Sequence, residues 1–85
     1  MKLRDGFVIC STGDEQIMVD TGSRFRGMVR LNSTAAFIAD CLKETVTRET
    51  LLAKLEEKYD ASRSVLEGDL DRVLESLTKI GALDA

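Results

Sequence analysis

Apolar positions recur with two different periods along the chain, and the change falls near residue 32. Before it, short runs of strand-forming residues are separated by glycine-containing turns. Phe7-Val8-Ile9-Cys10 and Gln16-Ile17-Met18-Val19 read as two strands joined through Ser11-Thr12-Gly13-Asp14. Gly and Asp suit a tight reversal there. A second turn, Asp20-Thr21-Gly22-Ser23, leads into a third strand from Phe25 to Leu31. Phe25, Gly27, Val29 and Leu31 fall on one face of it, and Arg24, Arg26, Met28 and Arg30 on the other. That period of two marks a half-buried strand. Short connections favour antiparallel order, and a sheet this small needs helices against it to be stable.

From Leu31-Asn32-Ser33-Thr34-Ala35-Ala36-Phe37-Ile38 onward the chain reads as helix. Asn32 or Ser33 can cap a first helix near 32–43, whose strongly apolar course makes it central. Thr45-Val46-Thr47 interrupts it. Thr47 can accept from the opening amides of a second helix near 47–59, with Glu49 at its positive end. Leu51, Leu52, Leu55 and Tyr59 form one face of that helix. A third helix near 63–80 starts from Ser62 or from the Ser64-x-x-Glu67 box, and Gly81 suits its left-handed end. Leu66, Leu70, Val73, Leu74, Leu77 and Ile80 line its buried face. Phe37, Ile38, Leu42, Leu51, Leu55, Leu66, Leu70, Leu74 and Leu77 are expected to supply most of the core. Gly68, inside this helix, is either a tolerated surface glycine or a point of close backbone approach.

Eighty-five residues make one domain, 1–85, with room for one core and little for an enclosed catalytic cavity. Twelve basic and fifteen acidic side chains give a formal charge of -3, unevenly spread. Residues 1–31 carry a net +1 and residues 32–85 a net -4, so an acidic helical part follows a locally basic third strand. No apolar run could span a bilayer, and the charged start (Lys2, Arg4, Asp5) holds no signal-peptide core. A cytoplasmic protein with no membrane contact is the expectation. Cys10 and Cys41, with no histidine in the chain, cannot make a structural zinc site by themselves. Both read as buried free thiols acting as small apolar side chains.

Catalysis finds no support in these residues. Ser33 and Thr34 lack a histidine to activate them, and the glycines around Gly22 and Gly27 do not form a phosphate loop. Asp69 and Asp71 are two apart and do not share a helix face. No metal or other cofactor is implied. Three strands with three helices do suggest a winged helix-turn-helix, and hence a DNA-binding regulator. The third helix, however, sets Glu67, Asp69, Asp71 and Glu75 against Arg63, Arg72 and Lys79. Such a face would repel phosphate, so nucleic acid is disfavoured as a partner. A small structural or assembly subunit is the remaining alternative.

Several stretches carry a family resemblance. They are Leu3-Arg4-Asp5-Gly6-Phe7, then Leu31-Asn32-x-Thr34-Ala35-Ala36-Phe37-Ile38, then Leu51-Leu52-x-x-Leu55-x-x-x-Tyr59-Asp60. Asp69, Leu70, Leu74, Leu77 and Gly81-Ala82-Leu83 complete the set. In this order and spacing the chain resembles the PqqD family, named after coenzyme PQQ synthesis protein D. Family members often have Gly where this chain has Ala35. The resemblance implies an α+β, winged-helix-like domain without turnover of its own. It would act as a peptide chaperone, a recognition element for ribosomally synthesised and modified peptides. Its role would be to capture the leader of a precursor peptide and present it to a separate modifying enzyme, such as a radical-SAM protein, in natural-product biosynthesis. The leader would add as a strand beside the third strand and third helix.

The residues accommodate that geometry. An exposed strand edge offers backbone donors and acceptors, and neighbouring pockets read alternate side chains. The expected edge is Arg24, Phe25, Arg26, Gly27, Met28, Val29 and Arg30. The expected groove is bordered by Met28, Val65, Asp69, Arg72 and Val73. Arg24, Arg26 and Arg30 would suit an acidic leader, although charges on an edge also block aggregation. Without peptide, the same edge could pair two copies of the chain into a homodimer.

Overall fold

A computed structural model of the chain describes residues 1–22 and 28–84. Its elements run β1 (Lys2–Leu3), β2 (Phe7–Thr12), β3 (Glu15–Asp20), β4 (Met28–Leu31), α1 (Ser33–Cys41), α2 (Arg48–Lys58), α3 (Arg63–Lys79) and β5 (Leu83–Asp84). The expected third strand is present from Met28 onward; its first part, Phe25 to Gly27, lies outside the described residues. β2, β3 and β4 form an antiparallel three-stranded sheet in that order, followed by the three helices. Phe7 pairs with Asp20 and Thr12 with Glu15, so Gly13 and Asp14 make a two-residue turn. Gln16 pairs with Leu31 and Val19 with Met28, which leaves β4 at one edge of the sheet and β2 at the other.

The helix boundaries follow local chemistry. Asn32 Oδ1 accepts from the Ala35 amide at 2.8 Å, so α1 begins directly after β4 with no intervening loop. Thr47 caps α2 through the Thr50 amide at 3.1 Å, and Ser62, rather than Ser64, caps α3. α3 ends in a Schellman motif: Gly81 sits at φ 75°, its amide donates to Thr78, and the Ala82 amide donates back to Leu77 at 2.9 Å. That reversal buries Ala82 completely and delivers Leu83 and Asp84 to β1. The β1–β5 pair is not an expectation of the sequence pattern, because two-residue strands carry no period. It nevertheless ties the two ends of the described chain together, with the Leu3 amide donating to Leu42 (2.9 Å) and the Arg4 amide to Ala82 (2.8 Å).

One core fills the space between the sheet and the helices. Ile38, Leu42, Leu51, Leu55, Leu66, Leu70 and Leu77 are buried in it, as their periodicity requires. Phe37 and Leu74 are only half-buried and pack at its edge. Phe37 stands edge-on to Tyr59 with ring centroids 6.2 Å apart, under the Lys58 ammonium. Leu3, Phe7, Met18, Leu52 and Ala82 join the buried set. The thiols depart from expectation. Both are free, but Cys10 is exposed and Cys41 half-buried. Helices cover one face of the sheet only, and alternation sends Phe7 and Ile9 toward them and Val8 and Cys10 to the other side. Burial pushes the Cys41 thiol above its ordinary pKa.

Two glycines should respond to substitution with opposite signs. Gly6 has φ 100°, and an added Cβ would lie 3.0 Å from Asp20 Oδ1 and 3.2 Å from the Gly22 amide nitrogen. The Gly6 carbonyl also accepts from the Thr21 amide (2.7 Å), so this corner cannot shift freely. Gly6→Ala should cost about 1–3 kcal/mol in denaturant unfolding. Gly68 is exposed, and a Cβ there would meet nothing within 4 Å. The surface reading of Gly68 holds, and Gly68→Ala should stabilise the domain by about 1 kcal/mol in the same assay.

Candidate functional site

β4 pairs with β3 on one side only, so the other side of residues 28–31 is an open edge among the described residues. Beside that edge runs a groove with α3 as its far wall. A depression of about 250 Å³ is lined by Val29, Leu31, Ala35, Val73, Leu77 and Ile80, with Arg30, Asn32, Arg72 and Ser76 around it. A second depression of about 340 Å³ adjoins it, bounded by Asn32, Thr34, Asp69, Arg72 and Val73. Asn32, Arg72 and Val73 are common to both.

Each wall follows from a local rule. Period-two alternation points Val29 and Leu31 of β4 inward, half-buried, while Met28 and Arg30 are exposed. On α3, positions 69, 73, 76 and 80 recur at helical spacing and form a flank beside the stripe that buries Leu66, Leu70 and Leu77. The Asn32 cap locks the start of α1 to the end of β4, which fixes Ala35 in the groove floor. Ala35 is buried, and Gly at this position would leave the floor deeper by one methyl.

Charge sits on the rim. Arg72 donates to Asp69, holding both side chains on the α3 side of the opening. Arg30, on the strand side, has its guanidinium 4.0 Å from Glu15 and an 81% exposed side chain. The helix pair α2–α3 carries a separate network. Arg48 makes a two-pronged contact with Asp71 (3.0 and 3.1 Å), which pushes its guanidinium pKa above the usual value. Arg63 reaches Glu49, Glu56 and Glu67. These two arginines are therefore spent within the protein.

The structure brings Val29, Arg30, Asp69, Arg72 and Val73 of the expected site together around one groove. Arg24, Phe25, Arg26 and Gly27 lie outside the described residues. Met28 and Val65 line neither depression. Met28, 65% exposed, projects from the sheet face turned away from the helices; Val65, 53% exposed, is in the first turn of α3, before the groove begins. Leu31, Ala35, Ser76, Leu77 and Ile80 belong to the lining and were not singled out. Apolar periodicity puts Leu77 and Ile80 on the buried face of the third helix, and a groove that opens at the margin of a core shares its residues. The signal available was the 69–73–76–80 spacing, read onward from Asp69 and Val73.

Among the described residues, no group of three or more His, Cys, Asp or Glu side chains is placed to hold a metal ion. Among the same residues, no helix is long and apolar enough to cross a membrane.

Comparison with known proteins agrees with this architecture. A sequence model of the family described as coenzyme PQQ synthesis protein D (PqqD) matches residues 15–83. The solved structure of TbiB1 in complex with the TbiA(beta) leader peptide shares the fold with a TM-score of 0.82 at 22% identity, over 100% of this chain and 96% of that one. A lasso peptide synthetase B1 complexed with the leader peptide shares it with a TM-score of 0.76 at 25% identity, over 95% of this chain and 93% of that one. No curated protein matches the chain at a significant level.

Proposed function

Because the chain belongs to the PqqD family, we propose that it is a non-catalytic capture domain for the leader of a ribosomally made precursor peptide. The leader adds as a strand along the open edge of β4, and its inward side chains enter the groove against α3. The domain then presents the peptide to a separate modifying enzyme, a radical-SAM protein being one candidate. The observation that carries this reading is the juxtaposition of a strand edge, unpaired among the described residues, with an apolar groove lined by Val29, Leu31, Val73 and Ile80. Backbone pairing supplies affinity that is indifferent to sequence, and the groove supplies selection for apolar side chains at alternate positions. Both structural relatives named above were solved with leader peptides.

The DNA reading loses its footing on α3. Glu67, Asp71 and Glu75 recur at helical spacing along it, and the arginines that face the first two, Arg48 and Arg63, are paired with them. Among the described residues, a phosphate backbone would meet carboxylates whose neighbouring cations on these helices are already paired.

Nuclear magnetic resonance titration with the leader of the precursor encoded alongside this chain tests the placement. The largest amide shifts should fall on residues 28–31 and on the α3 flank from Asp69 to Ile80. Shifts confined to α2, with β4 silent, would rule the placement out. Recovery of DNA fragments without peptide or enzyme in a pull-down from native lysate would reverse the ranking of partners.

A further inference from the structure

The sheet has a second face that the leader groove does not use. Register and alternation place Val8, Val19 and Met28 in one cross-strand row on it, and Cys10, Ile17 and Arg30 in the next. Val8 is 41% and Met28 65% exposed, and Cys10 is exposed as well. Ile17 and Val19 lie between them on the central strand and are half-buried, and neither packs against the core. Isolated exposed apolar side chains need no explanation, but a contiguous patch across three strands marks an interaction surface.

We propose that this outer sheet face is the docking surface for the modifying enzyme, a proposal that rests on the capture role argued above. Two observations select that occupant. The first is size. Strands about 4.8 Å apart, rising about 3.3 Å per residue, give a face on the order of 300 Å², against about 800 Å² per partner in a standard stable interface. Two copies of this domain stacked through the face alone fall short, whereas a larger protein can add contacts around its margin. The second is continuity. β4 contributes Met28 and Arg30 to this face and its open edge to the leader. A leader strand on that edge becomes the fourth strand, and its alternate side chains extend the same apolar surface. The enzyme then reads domain and leader as one sheet, which favours the loaded complex over either part. Its contact surface is apolar at the centre, matching the row of Val8, Val19 and Met28.

Val8→Glu, and separately Cys10→Asp, place a carboxylate on this face at exposed positions of an edge strand, away from the leader groove. The test uses the full chain with the precursor and modifying enzyme of its own gene neighbourhood. Each variant should melt like the parent and bind fluorescently labelled leader with an unchanged dissociation constant. Each should lower the rate of leader-dependent modification by about tenfold or more at limiting enzyme. In the parent, Cys10 serves as its own reporter. Its alkylation by N-ethylmaleimide, followed by mass spectrometry of the Cys10 peptide, should slow on adding enzyme to the loaded domain and stay unchanged with leader alone. Modification at the parental rate with Cys10 unprotected overturns the proposal, as does loss of leader binding in a folded Val8→Glu. So does a dimer of the parent in light scattering that Val8→Glu dissolves, since that assigns the face to a second copy. Failure of the parent to bind leader at all refutes the capture role instead.

Discussion

Aspartate in place of Val73 should remove most leader binding while leaving a folded domain. Val73 is half-buried and is one of three residues shared by both depressions of the groove. In the free domain a carboxylate there stays hydrated at the groove mouth. Once a peptide strand closes over it, that hydration is lost. The nearest cation on the helix, Arg72, is held by Asp69. An unpaired buried charge of this kind should weaken binding by about 2–4 kcal/mol, or roughly 30- to 700-fold. Titration calorimetry with the leader measures it, and a thermal melt of Val73→Asp checks that the loss is not unfolding. Arg30→Ala is the contrasting case. A rim cation acts on encounter, so this variant should flatten the salt dependence of association more than it alters dissociation. An affinity for Val73→Asp within about twofold of the parent would place the peptide elsewhere.

The readability of the chain differed between its two halves for physical reasons. The helices were legible because each carries a full set of local signals. Asn32, Thr47 and Ser62 cap them, Leu51 and Leu55 or Leu66, Leu70 and Leu77 repeat at helical spacing, and Gly81 stops the last. The strands were legible by alternation, which correctly separated Val29 and Leu31 from Met28 and Arg30. What the pattern could not show was which face of the sheet would be covered. Cys10 reads as buried in the sequence and is exposed in the structure for that reason, since a strand of apolar residues looks the same with helices on one side or on both. The groove was half legible for a related reason. Asp69, Arg72 and Val73 stand out by charge and position, but Leu77 and Ile80 look like core residues, and they are core residues that also border the opening. The β1–β5 pair was not legible because its partners are about eighty residues apart and two residues long, so only the Schellman turn at Gly81 makes the pairing possible.

Leu70→Ala should be the most destabilising simple truncation on α3. Leu70 is fully buried and sits mid-helix, between Leu66 and Leu77, in the core cluster that joins α3 to α1, α2 and the sheet. Removing its branched end leaves a cavity that close-packed neighbours fill only in part, at a cost of about 2–5 kcal/mol. A domain of this size is held by roughly 4–13 kcal/mol in total, so the variant is left with little margin and should show an unfolded fraction on mild heating. Denaturant unfolding with no loss of midpoint would sink the core assignment. The same variant separates fold from site. Its groove residues are intact, and a ligand that binds only the native state stabilises it by mass action, about 2.7 kcal/mol at a hundredfold excess over the dissociation constant. Saturating leader should therefore restore much of the lost midpoint in Leu70→Ala and almost none of any loss in Val73→Asp, because the first damages what the peptide leans on and the second damages what the peptide touches.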